Sequence, residues 1–160
     1  MLEELERDEK EGGPYRSPRL SPDGVSAYPQ ALREAIIDGD DQTLEDALRS
    51  PGMFNATESY ERNGKIHQRK MNRQAPQVLA EGEFNRYYIR GLCARICAEG
   101  GGAVEVYRAR ASAWVRPESE ALIGTHIDAE RLLDDLRVHI GEEPSLLPDV
   151  NSGLSVRLVT

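Results

Sequence analysis

Glu81, Glu83, Arg86 and Arg90 lie close together in the stretch AEGEFNRYYIRGLCARICAEGG, Ala80 to Gly101. If that stretch is helical, Glu83 and Arg86, and Arg86 and Arg90, are neighbours on one helix surface. Carboxylates and guanidiniums at such spacing can serve three ends. They can form a solvated, ion-paired face. They can knit a buried polar network with Asn85 that holds a hairpin or a partner subunit. Together with His126, they can build an acid–base site. General acid–base work needs two carboxylates in different environments, facing one pocket. Spacing alone supplies no such difference, so the solvated face is expected first, the buried network second and catalysis third.

Other reactive residue types give weaker leads. His67, His126 and His139 are far apart in the chain and fit no metal-ligand spacing. The triplet Gly100–Gly102 follows a helical pattern and precedes a strand, the reverse of the order a phosphate cradle needs. No GxSxG elbow is present, and Ser152 in VNSGLS reads as a turn residue. Cys93 and Cys97 sit on one helix face at a spacing unsuited to a disulfide, and read as small apolar residues of a reducing compartment. No catalytic residue, metal or cofactor is therefore expected.

Charge is more informative. The chain has a net charge of -8 and a pI near 5.0, which repels nucleic acid and anionic membrane unless its positive charges cluster. Two clusters occur. KIHQRKMNR holds Lys65, Arg69, Lys70 and Arg73, and a second group, Arg108, Arg110 and Arg116, is interleaved with Tyr107 and Trp114. The segment MLEELERDEKE is strongly acidic. An acidic arm from one copy meeting a basic hairpin on another is one consequence. Contact of all seven basic residues with a phosphate backbone is the alternative. The acidic total and the sparse aromatics, 6% of the chain, rank protein partners above nucleic acid. The expected interface residues are Tyr60, Arg69, Lys70, Arg86 and Arg90.

The elements that must carry these residues follow from pattern. A chain of 160 residues suits one domain. Residues 1–28 read as an acidic, helix-prone segment, too short for a stable isolated helix and so either fraying or docked, followed by an extended arm rich in Gly, Pro and Ser. Pro29 opens a helix that Gly39 ends, and Asp40 or Asp41 caps a second, giving a helical hairpin over 29–49. Asn63-Gly64 predicts a type I′ turn in a β-hairpin over 55–72. In that register Arg62 faces Lys65, Glu61 faces Ile66, Tyr60 faces His67 and Glu58 faces Arg69. With so little apolar surface the hairpin should project. A long helix runs from Pro76 to Glu99, with Phe84, Tyr88, Leu92 and Ile96 as its apolar stripe and Ile89 and Cys93 beside them. AVEVYRAR is a strand with Val104 and Val106 inward. Asp128 caps a helix with Leu132, Leu133, Leu136 and Ile140 facing the core. The terminal SGLSVRLVT should pair with the Val104 strand. The fold class is α+β: a long central helix packed on a small β-sheet, a helical hairpin, a projecting β-hairpin and an extended N-terminal arm, with 29–160 as a single domain whose core is 76–160.

The segments LAEGEFNRYYIRGLC, VEVYRAR and NSGLSVRL are similar to uncharacterised bacterial and tailed-phage structural proteins. The resemblance implies a virion or prophage head or accessory component without catalysis, and it assigns no residue a role. The N-terminus has neither a basic n-region nor an apolar h-region, and no run could cross a bilayer. Synthesis in the cytoplasm, and on the resemblance a place in a virion, is expected. The function expected is therefore a non-enzymatic structural or assembly protein that self-associates or joins a larger assembly. A nucleic-acid-associated factor and a small enzyme with a carboxylate/arginine site on the helix 80–99 are the alternatives.

Overall fold

The computed structural model describes residues 1–111 and 116–159. Trp114, expected among the second basic group, lies outside the described residues. The described chain contains helices α1 (Leu2–Lys10), α2 (Pro22–Asp38), α3 (Asp41–Leu48), α4 (Ala75–Ala98), α5 (Pro117–Leu122) and α6 (Ala129–Val138). Its strands are β1 (Thr57–Arg62), β2 (Lys65–Lys70), β3 (Ala103–Arg108), β4 (His126–Asp128) and β5 (Leu154–Leu158). The α+β class, the long helix and the β-hairpin are as expected. No helix among the described residues is long and apolar enough to cross a membrane. Two compact units divide the chain: Tyr15–Glu81, and Met1–Pro14 together with Gly82–Thr160.

In the unit Tyr15–Glu81, α2 begins earlier than expected. Ser21 is its N-cap, accepting from the Gly24 N–H at 2.9 Å, and Pro22 stands in the first turn. The SPDG sequence looked like a linker because Ser, Pro, Asp and Gly all favour turns. The same Ser-Pro-Asp order is also a helix start, with cap, preset φ and an acidic residue near the dipole's positive end. Pro29 therefore lies inside the helix. Asp40 caps α3 in a reciprocal capping box with Thr43. Tyr28, Leu32, Ala35, Leu44 and Leu48 are buried. The hairpin has the expected register, from Thr57↔Lys70 to Arg62↔Lys65. Asn63 and Gly64 have φ of 53° and 71°, the left-handed pair a type I′ turn requires.

In the other unit, β3 is the central strand of an antiparallel sheet ordered β4-β3-β5. Val104, Val106, Leu154 and Val156 meet Ile89, Cys93 and Ile96 of α4 and Leu132, Leu133 and Leu136 of α6 in one core. The terminal strand pairs with β3 as the alternation suggested, although Leu158 is left exposed. Residues 1–10, read as a helix-prone segment that frays or docks, form α1 with Leu5 fully buried. Of the expected apolar face of α4, Ile89, Cys93 and Ile96 are in the core and Leu92 packs against it, but Tyr88 is exposed while Tyr87 is buried.

Helix α2 passes so close to the loop before the hairpin that a Cβ on Gly24 would stand 1.9 Å from the Met53 carbonyl oxygen. That oxygen also accepts the Ser21 N–H at 3.0 Å, so neither partner can withdraw freely. Gly24→Ala should destabilise the protein by about 1–3 kcal/mol in urea unfolding, the usual cost of overpacking. A loss below about 0.5 kcal/mol would mean that the approach is not tight.

Candidate functional site

Four polar residues of α4 point inward, whereas Glu81 is half-buried and Arg95 is exposed. Arg90 is fully buried and Arg86, Glu83 and Asn85 nearly so, which corrects the expectation of a solvated ion-paired face. Asn85 Nδ2 donates to the carbonyls of Val150 at 3.2 Å and Leu154 at 2.9 Å, holding the start of β5. Arg86 donates to the carbonyls of His139 at 2.8 Å and Glu142 at 3.3 Å. It thus places a cation where α6 ends and carbonyls are left over.

Arg90 reaches α1. Its Nε donates to Glu4 Oε2 at 2.9 Å, and its Nη1 and Nη2 donate to the two carboxylate oxygens of Asp8 at 2.6 and 2.8 Å. Tyr87 Oη donates to Asp8 at 2.7 Å. From α6, Arg137 grips Glu4 through two bonds of 3.0 and 2.6 Å. Burial works to raise the Glu4 pKa, but the hydrogen bonds and charges of Arg137 and Arg90 outweigh it and hold the carboxyl below its ordinary value. Glu83 goes the other way. Burial raises it more than Arg86 and Arg90 lower it, and its Oε2 has no hydrogen-bond partner. Burial also pushes the Cys93 thiol up to about 12, leaving it in the unreactive form.

This arrangement decides what the cluster can do. Each guanidinium is held by carboxylates or carbonyls of its own unit, so Arg86 and Arg90 are not available to an outside partner, contrary to the expected interface set. The carboxylates of α1 were expected to meet another copy's basic hairpin, but Glu4 and Asp8 are engaged at home. His126, the expected catalytic companion, lies exposed on β4 opposite Glu105. Glu4, Asp8, Tyr87 and Arg137 escaped sequence reasoning. The available signal was that Glu4 and Asp8, one turn apart, flank Leu5 rather than oppose it.

The remaining expected interface residues, Tyr60, Arg69 and Lys70, lie on the hairpin. Every residue of β2 is exposed, and Ile66 retains 79% of its surface. Glu58, Tyr60 and Arg62 share one face with Lys65, His67 and Arg69, by strand alternation. On that face Tyr60 and His67 stack at 5.5 Å, and the Arg69 guanidinium lies 5.1 Å from the Tyr60 ring centre. Glu58 is buried beneath, paired with Arg69 at 2.9 Å and with Arg19 at 2.8 Å. Lys70 projects from the opposite face, and Arg73 lies beyond the strand. The four basic residues of this stretch thus do not converge on one patch. Of the second group, Arg108 is paired with Glu120 at 2.9 Å, Arg110 is half-buried and Arg116 is exposed. The two groups belong to different units. Among the described residues, no three His, Cys, Asp or Glu side chains are grouped to hold a metal ion.

No family model, curated protein or solved structure matches the chain.

Removing one member of a buried charge cluster leaves the others uncompensated, at a cost of about 3–5 kcal/mol. Arg90→Met should lose that much by urea unfolding, with α1 protection from hydrogen exchange lost as well. Glu4 has a folded pKa below its unfolded value near 4.5. Its stabilisation is therefore complete above that value and disappears as pH falls through the lower, folded pKa. The stability gap between the natural protein and Glu4→Gln should be about 3 kcal/mol at pH 7 and should close on acidification. A gap independent of pH would contradict this ion-pair account.

Proposed function

We propose that this is a non-enzymatic assembly protein whose contacts with other protein chains are made by the β1–β2 ribbon. One observation carries this reading: the ribbon leaves a whole strand and Ile66 exposed, and among the described residues neither edge of its two-stranded sheet has a neighbouring strand. Exposed edges and an exposed large aliphatic residue favour pairing with another chain. Catalysis is disfavoured because the arginines of α4 are committed to internal partners. Nucleic-acid binding is disfavoured because Lys65 and Arg69 face opposite to Lys70. The resemblance to bacterial and tailed-phage structural proteins supports work inside a larger particle, as a head or accessory component, through self-association.

Light scattering of the full-length protein across salt and concentration tests the proposal. A mass above one chain is expected, falling as salt screens the ribbon's charges. A variant whose residues 57–70 are replaced by a Gly/Ser loop should scatter as a single chain. A natural protein that is a single chain under every condition, or a variant that assembles as before, would sink self-assembly through the ribbon.

A further inference from the structure

We infer that the outer edge of β1 is a docking site for one extended, acidic segment of a partner protein, added as a third strand. The inference rests on the ribbon being the contact element and goes further by naming the edge and the chemistry of its occupant.

The ladder's phase singles out the edge. Met71 donates its N–H to the Ala56 carbonyl, so Ala56 is turned toward the β2 side. In an antiparallel pair this orientation alternates. Glu58, Tyr60 and Arg62 therefore also turn toward β2, while the N–H and C=O groups of Thr57, Ser59 and Glu61 turn outward. Among the described residues, no backbone group outside the ribbon bonds to these three, and all three are exposed.

The chain itself begins the third strand and then abandons it. Leu20 forms an antiparallel bridge with Phe54, and the Arg19 carbonyl accepts the Asn55 N–H at 2.9 Å. The chain then leaves that side in a turn at Pro18 and Arg19 instead of continuing along Thr57, and the Ser17 carbonyl accepts the Leu20 N–H at 3.1 Å. A groove of about 710 Å³ follows, lined by Pro18, Arg19, Asn55, Glu58, Ser59 and Tyr60 among others. The start of a strand is thus present, its continuation is missing, and space lies beside the vacant edge.

Charge selects the occupant. The face with Tyr60 carries Arg62, Lys65 and Arg69, and Arg19 adjoins it. Its only carboxylate, Glu58, is already paired with both Arg19 and Arg69. Residues of an added strand standing opposite Glu58, Tyr60 and Arg62 would place every second side chain on this cationic face. Carboxylates at alternate positions are the complement. The free N–H and C=O groups favour a polypeptide over a nucleic acid, because strand addition draws its affinity from main-chain hydrogen bonds.

The test is titration of the full-length protein with a twelve-residue peptide of alternating Glu and Thr. The comparison probes are its Lys–Thr counterpart, a version N-methylated at every second residue and a single-stranded oligonucleotide. Expected is saturable binding of the Glu–Thr peptide alone, with amide shifts at Thr57, Ser59 and Glu61. Ser59→Pro removes an outward N–H and leaves the inner ladder intact. It should weaken binding about tenfold, as should Arg62→Glu with Lys65→Glu. No binding, equal binding of the N-methylated peptide, or binding of the oligonucleotide alone would overturn the inference. The N-methylated control keeps the test decisive even if Ser59→Pro misfolds. A ribbon-dependent mass in light scattering without peptide binding would remove the β1 edge and leave the assembly function standing. Peptide binding by a single-chain protein would do the reverse.

Discussion

A fully buried guanidinium is the constraint around which the unit Met1–Pro14 with Gly82–Thr160 is built. Arg90 cannot shed its charge, and an unpaired ion in that interior would be far too costly to persist. The chain answers with two carboxylates from α1, brought from more than eighty residues away in sequence. Those carboxylates need further donors, which Tyr87 and Arg137 supply. The result ties α1, α4 and α6 together through directional bonds, in contrast to the non-directional apolar contacts of the sheet. A buried ion pair is weak evidence of net stability compared with an apolar replacement. What it does give α1 is one register, because sliding the helix by a residue would strand three charges.

One stretch of α4 organises its surroundings by the same logic. Asn85, Arg86 and Arg90 each engage a different element: the start of β5, the end of α6, and α1. Glu83 stands among them as the exception: burial raises its pKa against the lowering by Arg86, which donates to its Oε1 at 3.3 Å, and its Oε2 has no hydrogen-bond partner. Such dense internal use of polar groups is why Arg86 and Arg90, which look reactive in the sequence, are held by partners of their own unit.

The ribbon in the unit Tyr15–Glu81 has opposite properties. It is local in sequence, set by a two-residue turn, and its cross-strand pairs are each worth only about 0.2–1 kcal/mol. Only the Glu58 anchor, gripped by Arg19 and Arg69, is buried. A two-stranded ribbon is marginal by itself, so a third strand or a neighbour gains main-chain bonds at little cost in rearrangement. The molecule thus keeps its charged interior closed and its hydrogen-bonding edge open.

The elements whose signals are local were legible in the sequence. Asn63-Gly64 dictated the turn because few other residue pairs tolerate left-handed backbone there, and the turn dictated the register. Asp128, and Asp40 or its neighbour Asp41, marked helix starts, and the alternation of Val104 and Val106 marked a core strand. Short or ambiguous signals were not legible: three-residue β4, six-residue α5, and the Ser-Pro-Asp start of α2, where turn and helix chemistry coincide. The fate of Arg86 and Arg90 was out of reach for a different reason. An Arg four residues from another reads the same whether it faces water or carboxylates from a distant helix. Local backbone preference was therefore written into the sequence itself, whereas the burial of charge, and with it the difference between a contact surface and an interior lock, was decided only when α1 and α6 closed on α4.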